Sequence, residues 1–189
     1  MFVDISHSTE ISLSLPERKF ALLVQSFAQE VSIVAIDYGG YVFKYEGDGV
    51  IVIFSAEHDE VKACENALNC SKAILEVIQV SNTIFSAYEL PEISVRIGMT
   101  YGYGLVVLYG NDPEKAYIDM IGSSISLASK IVSIADPNRI LVGEHFYSIV
   151  HSSKSINCSN FAELILDPIK WKYLSRSDPH SRFRVYTYY

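Results

Sequence analysis

Two β-rich runs, Tyr41-Val42-Phe43-Lys44-Tyr45 and Val50-Ile51-Val52-Ile53-Phe54, flank the tetrapeptide Glu46-Gly47-Asp48-Gly49. Such runs around a glycine-bearing turn read as a β-hairpin, so the chain must build an antiparallel sheet. Helix patterns bracket the hairpin. Before it, Phe20, Leu23, Val24, Phe27, Val31 and Val34 recur at steps of mostly three and four and lay an apolar stripe on one helix face. Ser14-Leu15-Pro16-Glu17 reads as the start of that helix, with Ser14 as N-cap, Glu17 closing a capping box and Pro16 in the first turn. Gly39-Gly40 stops it. After the hairpin a second helix is predicted from Asp59 to Val80, with Val61, Leu68, Leu75 and Ile78 among its apolar positions. Met1-Phe2-Val3-Asp4-Ile5 reads as the end of a strand, and its abrupt start suggests that residues precede Met1.

Two further strands, Ile93–Met99 and Leu105–Tyr109, are joined by the turn Thr100-Tyr101-Gly102-Tyr103-Gly104. A third helix is predicted from Ser123 to Ala135, ended by Asp136-Pro137-Asn138. Then come a strand at Arg139–Val142, a helix at Glu144–His151 and a last strand at Arg182–Tyr188. The order β-α-β-β-α-β with appended elements is the split βαβ, ferredoxin-like pattern of the α+β class: an antiparallel sheet with helices on one face. With 189 residues, no repeat and no linker, residues 1–189 read as one domain, and Ser152–Asn160 as its mobile loop.

Apolar residues make up 49% and charged residues 20%, which excludes a disordered chain. No apolar run approaches the ~20 residues of a membrane span. The net charge of −7 disfavours a phosphate backbone as partner, so neither nucleic acid nor membrane is expected. The mean hydropathy of +0.19 hints at apolar surface covered by another subunit. Cys64, Cys70 and Cys158 lack metal-ligand spacing and read as reduced core thiols of a cytoplasmic protein. His7, His58, His145, His151 and His180 show no paired metal spacing either, and Trp171 reads as an edge contact.

The chemistry concentrates in two acids. In this topology the first strand lies beside the hairpin, so Asp4 at its end and Asp48 at the hairpin tip meet at one sheet edge. Two close carboxylates repel unless a cation sits between them, and an oxygen-only donor set points to Mg²⁺ or Mn²⁺. Gly47 and Gly49 leave room for a phosphate group. Taken alone, Gly47-Asp48-Gly49 is equally an ordinary hairpin turn, and Asp4 a loop cap.

The separate motifs fall into one pattern. Phe2-Val3-Asp4-Ile5-Ser6-His7-Ser8-Thr9 resembles the first metal-binding segment of class III nucleotidyl cyclases. Lys44-Tyr45-Glu46-Gly47-Asp48-Gly49 resembles their second, and Val95-Arg96-Ile97-Gly98-Met99-Thr100-Tyr101-Gly102 their Arg-Ile-Gly…Thr-Gly strand. Asp119-Met120-Ile121-Gly122 followed by Ser123–Lys130 is similar to their third functional segment, and Ala135-Asp136-Pro137-Asn138-Arg139-Ile140-Leu141-Val142 to the connection after it. The likeness runs in order through residues 2–150.

The resemblance implies that Asp4 and Asp48, with the Ile5 carbonyl, hold two divalent cations, Mg²⁺ or Mn²⁺. It implies a phosphate-binding loop of Ser6, His7, Ser8, Thr9 and Gly47, and base recognition by Lys44 and Asp119. A Lys that donates and an Asp that accepts match adenine, so ATP converted to cyclic AMP and pyrophosphate is the first expectation. Ser126 and Lys130 stand where the family carries the Asn that holds the ribose and the Arg that braces the phosphate. Lys keeps the charge of Arg but loses its two-pronged geometry. The resemblance also implies a head-to-tail homodimer, with Asp4 and Asp48 of one chain facing Lys44, Asp119, Ser126 and Lys130 of the other. Two alternatives stay open: a pyrimidine cyclase using UTP or CTP, like the compact enzymes of Pycsar anti-phage defence, and a cyclase-like domain that binds nucleotide without turnover.

Overall fold

The computed structural model describes every residue except 111, 113, 114 and 154–157, and of Cys158 the backbone only. In chain order its elements are β1 (Phe2–Ile5), α1 (Ser8–Ser14), α2 (Glu17–Asp37), β2 (Tyr41–Glu46), β3 (Gly49–Ile53), α3 (Glu60–Ala87), β4 (Val95–Met99), β5 (Leu105–Tyr109), β6 (Tyr117–Ile121), α4 (Ser123–Ser133), β7 (Arg139–Gly143), α5 (Glu144–Ser152), a 3₁₀ turn (Cys158–Asn160), β8 (Phe161–Glu163) and β9 (Val185–Tyr188). Among the described residues the strands form a seven-stranded sheet in the order β2-β3-β1-β4-β7-β9-β8, and a separate two-stranded ribbon of β5 and β6. The segment β2-β3-β1-β4 with α2 and α3 is the expected split βαβ unit. Every neighbouring pair in the large sheet is antiparallel except β4 with β7.

Strand alternation sorts the side chains into two cores. Val3, Ile5, Val50, Val52, Val95, Ile97, Met99, Ile140 and Val142 face the main core, where they pack with Leu23, Phe27 and Val31 of α2 and Leu68, Ile74 and Ile78 of α3. Each such fully buried side chain contributes about 1.5–3 kcal/mol relative to exposure. The residues between them in sequence face the other way. Leu141 and Val185 meet Ile131 of α4, Trp171 and Phe183 in a second, smaller core. α4 reaches the sheet over Gly98, where an added Cβ would stand 2.6 Å from the Val132 nitrogen. The expectation of helices on one face therefore holds for α2, α3 and α5 and is corrected for α4, which lies on the opposite face. Beside α4, Phe2, Ile51 and Ile53 of that face line a pocket.

Other sequence expectations shift for local reasons. Ser14 is not an N-cap: it ends the unpredicted helix α1 and donates to the Ile11 carbonyl at 2.9 Å. Pro16 takes the N-cap place of α2 instead, its carbonyl accepting from Lys19 and Phe20. α3 runs to Ala87 rather than Val80, because Asn82 both donates to and accepts from the Ile93 backbone and Phe85 is buried. The strands over 93–99 and 105–109 do not form a hairpin with each other; β5 pairs with β6. Trp171 is no edge contact but is 4% exposed, its Nε1 donating to the Phe183 carbonyl. The core thiols of Cys64 and Cys70 are free and buried, whereas the Cys158 side chain lies outside the described residues. Residues 154–157 of the loop expected over 152–160 do so as well, whereas Ser152 ends α5 and Cys158–Asn160 form the 3₁₀ turn. α2 is long and apolar enough to cross a membrane by length and composition, yet Leu23, Phe27, Val31, Val34 and Ala35 are buried in the domain.

Candidate active site

Asp4, Lys44 and Arg96 lie on the second face of the sheet, and Asp119 of β6 and Ser126 and Lys130 of α4 stand over it. At one corner Asp4 of β1 pairs in register with Gly49 of β3 and Arg96 of β4. The Ile5 amide donates to the Asp48 carbonyl at 3.3 Å, which brings the hairpin tip to the end of β1. Burial, and then the Asp48 carboxylate, push the Asp4 carboxyl above its ordinary range, and the Arg96 guanidinium bound to it pulls the other way. Arg96, to which the sequence assigns no role, joins this corner because strand register places it opposite Asp4. Two buried polar atoms here, Ser6 Oγ and Arg96 Nε, have no hydrogen-bond partner among the described residues. His7, with a left-handed φ of 57°, stands exposed at the head of α1 with Ser8 and Thr9. Gly47 turns the hairpin at φ +60° with open space where a side chain would be, so the backbone there is approachable.

These residues fit a hard divalent cation. The donors are oxygens only, and the Asp48 carboxylate disfavours charge on Asp4. Among the described residues no cluster of three or more His, Cys, Asp or Glu is present, so this corner offers a cation no more than the two carboxylates.

The second group surrounds a pocket of about 320 Å³. Its apolar wall is Phe2, Phe43, Ile51, Ile53, Met120 and Ile125, and its polar groups are Glu46, Asp119, Ser126, Ser129 and Lys130. Lys44 reaches Asp119 Oδ2 at 3.3 Å and Glu46 Oε1 at 3.0 Å, with Nζ 5.2 Å from the centre of the Tyr117 ring. The Tyr117 phenol, Glu46 and Asp119 all hold the ammonium charged, well above its ordinary range. Asp119 is held below the usual carboxylate range by the Met120 amide at 2.8 Å and by Lys44. A bulge sets this arrangement: β2–β3 pairing slips between Val42 and Lys44, making Phe43 the extra residue. Val42 packs on the main core, so an unbroken alternation would send Lys44 there too. The bulge instead sets Lys44 opposite Ile51, on the pocket face.

Lys44, Asp119, Ser126 and Lys130 thus come together, as do Asp4, Ile5 and Asp48. Among the described residues no hydrogen bond or ion pair joins the two groups. One chain displays both sets side by side rather than closed on each other.

Residues 1–172 match the model of the adenylate and guanylate cyclase catalytic domain. The chain belongs to this cyclase family. The cyclase domain is 27% identical over 150 residues to a cytidylate cyclase of Staphylococcus aureus and 25% identical over 150 residues to one of Escherichia coli. Those matches cover 77% and 76% of the chain but only 35% and 33% of the relatives, so the chain spans about a third of their length. Among solved structures, the adenylyl cyclase CyaB of P. aeruginosa superposes with a TM-score of 0.80 at 23% identity, over 100% of this chain and 91% of that one, which establishes the fold.

Proposed function

We propose that the protein is a metal-dependent nucleotidyl cyclase that converts a nucleoside triphosphate carrying an amino base, ATP or CTP, into its 3′,5′-cyclic monophosphate and pyrophosphate. The observation that carries this is the pairing of Lys44 with Asp119 of the pocket wall. A fixed donor beside a fixed acceptor matches the unprotonated ring nitrogen and exocyclic amine at adenine N1/C6 and cytosine N3/C4, where guanine and uracil instead carry a ring N–H and a keto oxygen. ATP was the expectation from the family pattern; the cytidylate cyclase relatives favour CTP as a second reading.

In this reading Asp4, Asp48 and the Ile5 carbonyl hold divalent cations, Mg²⁺ or Mn²⁺. Bound there, they would acidify the ribose 3′-hydroxyl and neutralise charge on the triphosphate. Ser126 orients the ribose, and Lys130 braces the α-phosphate as negative charge builds on it. Loss of such a donor typically costs about 10²–10³ in rate. Ser6 Oγ, Arg96 Nε and the turn at Gly47 receive phosphate oxygens, together with His7, Ser8 and Thr9. The 3′-oxygen forms a bond to the α-phosphorus as the bond to the pyrophosphate oxygen breaks.

The two groups serve one reaction across a two-fold homodimer, in which Asp4 and Asp48 of one protomer meet Lys44, Asp119, Ser126 and Lys130 of its partner. The exposed apolar ribbon supports this, with Leu105, Val106, Leu108 and Ile118 all more than half exposed. Free buried thiols suit the reducing cytoplasm. The test is incubation of the protein with Mn²⁺ and equal amounts of ATP, CTP, GTP and UTP, with products identified by mass spectrometry. Cyclic AMP or cyclic CMP is expected. Cyclic GMP or UMP as the main product overturns the base assignment, and nucleotide binding without any cyclic product leaves a domain that has lost turnover.

A further inference from the structure

Glu46 is the one charged pocket residue that the cyclase reading gives no task. It stands two residues from Lys44 on β2, on the same strand face, and its carboxylate is closer to Lys44 Nζ, at 3.0 Å, than that of Asp119, at 3.3 Å. The ammonium therefore sits between two carboxylates from different elements, one on its own strand and one on the β5–β6 ribbon. An ammonium has three protons; with two directed to Glu46 and Asp119, the third, on the side of the Tyr117 phenol, is the one a base nitrogen can take over. Two acceptors around one cation also leave this end of the pocket with an uncompensated negative charge.

We propose that Glu46 is a specificity-determining residue of the base pocket, positioning Lys44 and repelling bases that present a carbonyl oxygen where the amine belongs. The proposal deepens the cyclase reading and rests on it. When an amino base donates to Asp119, it competes for the acceptor that Lys44 uses, and Glu46 keeps the ammonium paired and in place. A keto oxygen at the same spot faces two carboxylates instead, a repulsive element of the kind that specificity requires. Without Glu46, Lys44 turns to Asp119 alone and closes the donor–acceptor pair that the base must enter.

The test compares the full protein with Glu46→Gln, Glu46→Asp and Glu46→Ala, measuring kcat and KM for all four triphosphates. Binding of the four 3′-deoxynucleoside triphosphates, which lack the attacking hydroxyl, supplies a readout independent of turnover. For Glu46→Gln, KM for the preferred substrate should rise about three- to ten-fold with kcat little changed, a modest effect because the pair is partly solvated. The preference for amino over keto bases should narrow by a similar factor in turnover and in binding, and Glu46→Asp should restore part of it. An active enzyme whose KM and base preference are both unmoved in Glu46→Gln overturns the proposal and leaves the cyclase reading standing, as does a loss confined to kcat. A wild-type protein that makes no cyclic product overturns the cyclase reading itself. The deoxynucleotide series then still decides the role of Glu46: an unchanged base preference in binding sinks it.

Discussion

Burial and the Asp48 carboxylate both favour the protonated form of Asp4, so its ionisation at neutral pH costs stability. A raised carboxyl pKa means that the contribution of Asp4 to stability is greatest below the ordinary carboxylate value and falls as pH rises through the raised one. Asp4→Asn should therefore melt no lower than wild type without divalent cations, while losing cyclase activity. Saturating Mn²⁺, at about 100 times its Kd, should stabilise the wild type by about 2.7 kcal/mol and leave Asp4→Asn unmoved in a thermal melt. The thiols of Cys64 and Cys70 are pushed up to about 12 by burial. At pH 8 neither should be alkylated in the native protein, and both should be in urea, as mapped by mass spectrometry. Their stabilising contribution is full below pH ~9 and is lost towards pH 12, by up to about 1.4 kcal/mol per pH unit for each thiol.

At the scale of elements, the ribbon carries the argument. β5 and β6 pair only with each other, yet β6 supplies Asp119 to a lysine of the main sheet. In the ribbon register Val106 faces Met120 and Leu108 faces Ile118, so Val106, Leu108 and Ile118 share one exposed apolar face. A face of this kind on a two-stranded ribbon is stable only when covered. Leu108→Asp with Ile118→Asp should leave the fold intact by circular dichroism, shift the protein to monomer in sedimentation, and reduce activity at least about ten-fold at micromolar protein, since each new carboxylate would be buried unpaired in the interface. A monomer of unchanged activity would remove the shared site.

For the whole molecule, the separation of the acidic corner from the base pocket makes a quantitative statement. If each site draws on two protomers, Asp48→Ala and Lys44→Ala are each inactive, but mixing them reconstitutes one complete site in every heterodimer. A one-to-one mixture at random exchange should recover about a quarter of wild-type activity, because half the dimers are mixed and each has one of two sites intact. A mixture no more active than its components would mean that both groups of one chain serve the same site.

The hairpin and the stripes of α2 and α3 were legible in the sequence because each rests on local periodicity or turn chemistry, and the meeting of Asp4 with Asp48 because the order of those elements implies it. The order of the motifs made the cyclase family legible as well. α1 was not, since it buries no residue and shows no stripe. The far end of α3 was hidden for another reason: Ser81, Asn82 and Thr83 are poor helix formers, and the Asn82–Ile93 bonds override them. The position of α4 on the second face, the pairing of Arg96 with Asp4 and the separate ribbon depended on register between strands far apart in the chain. The bulge at Phe43 is the sharpest case. Sequence alternation alone would bury Lys44 with Val42, and one extra residue in the β2–β3 ladder turns it to the pocket. Local patterns thus determined most of the elements and which residues are candidates for chemistry; only the tertiary structure decided which of those residues share a face, because register and bulges are set by pairing and burial across the whole sheet.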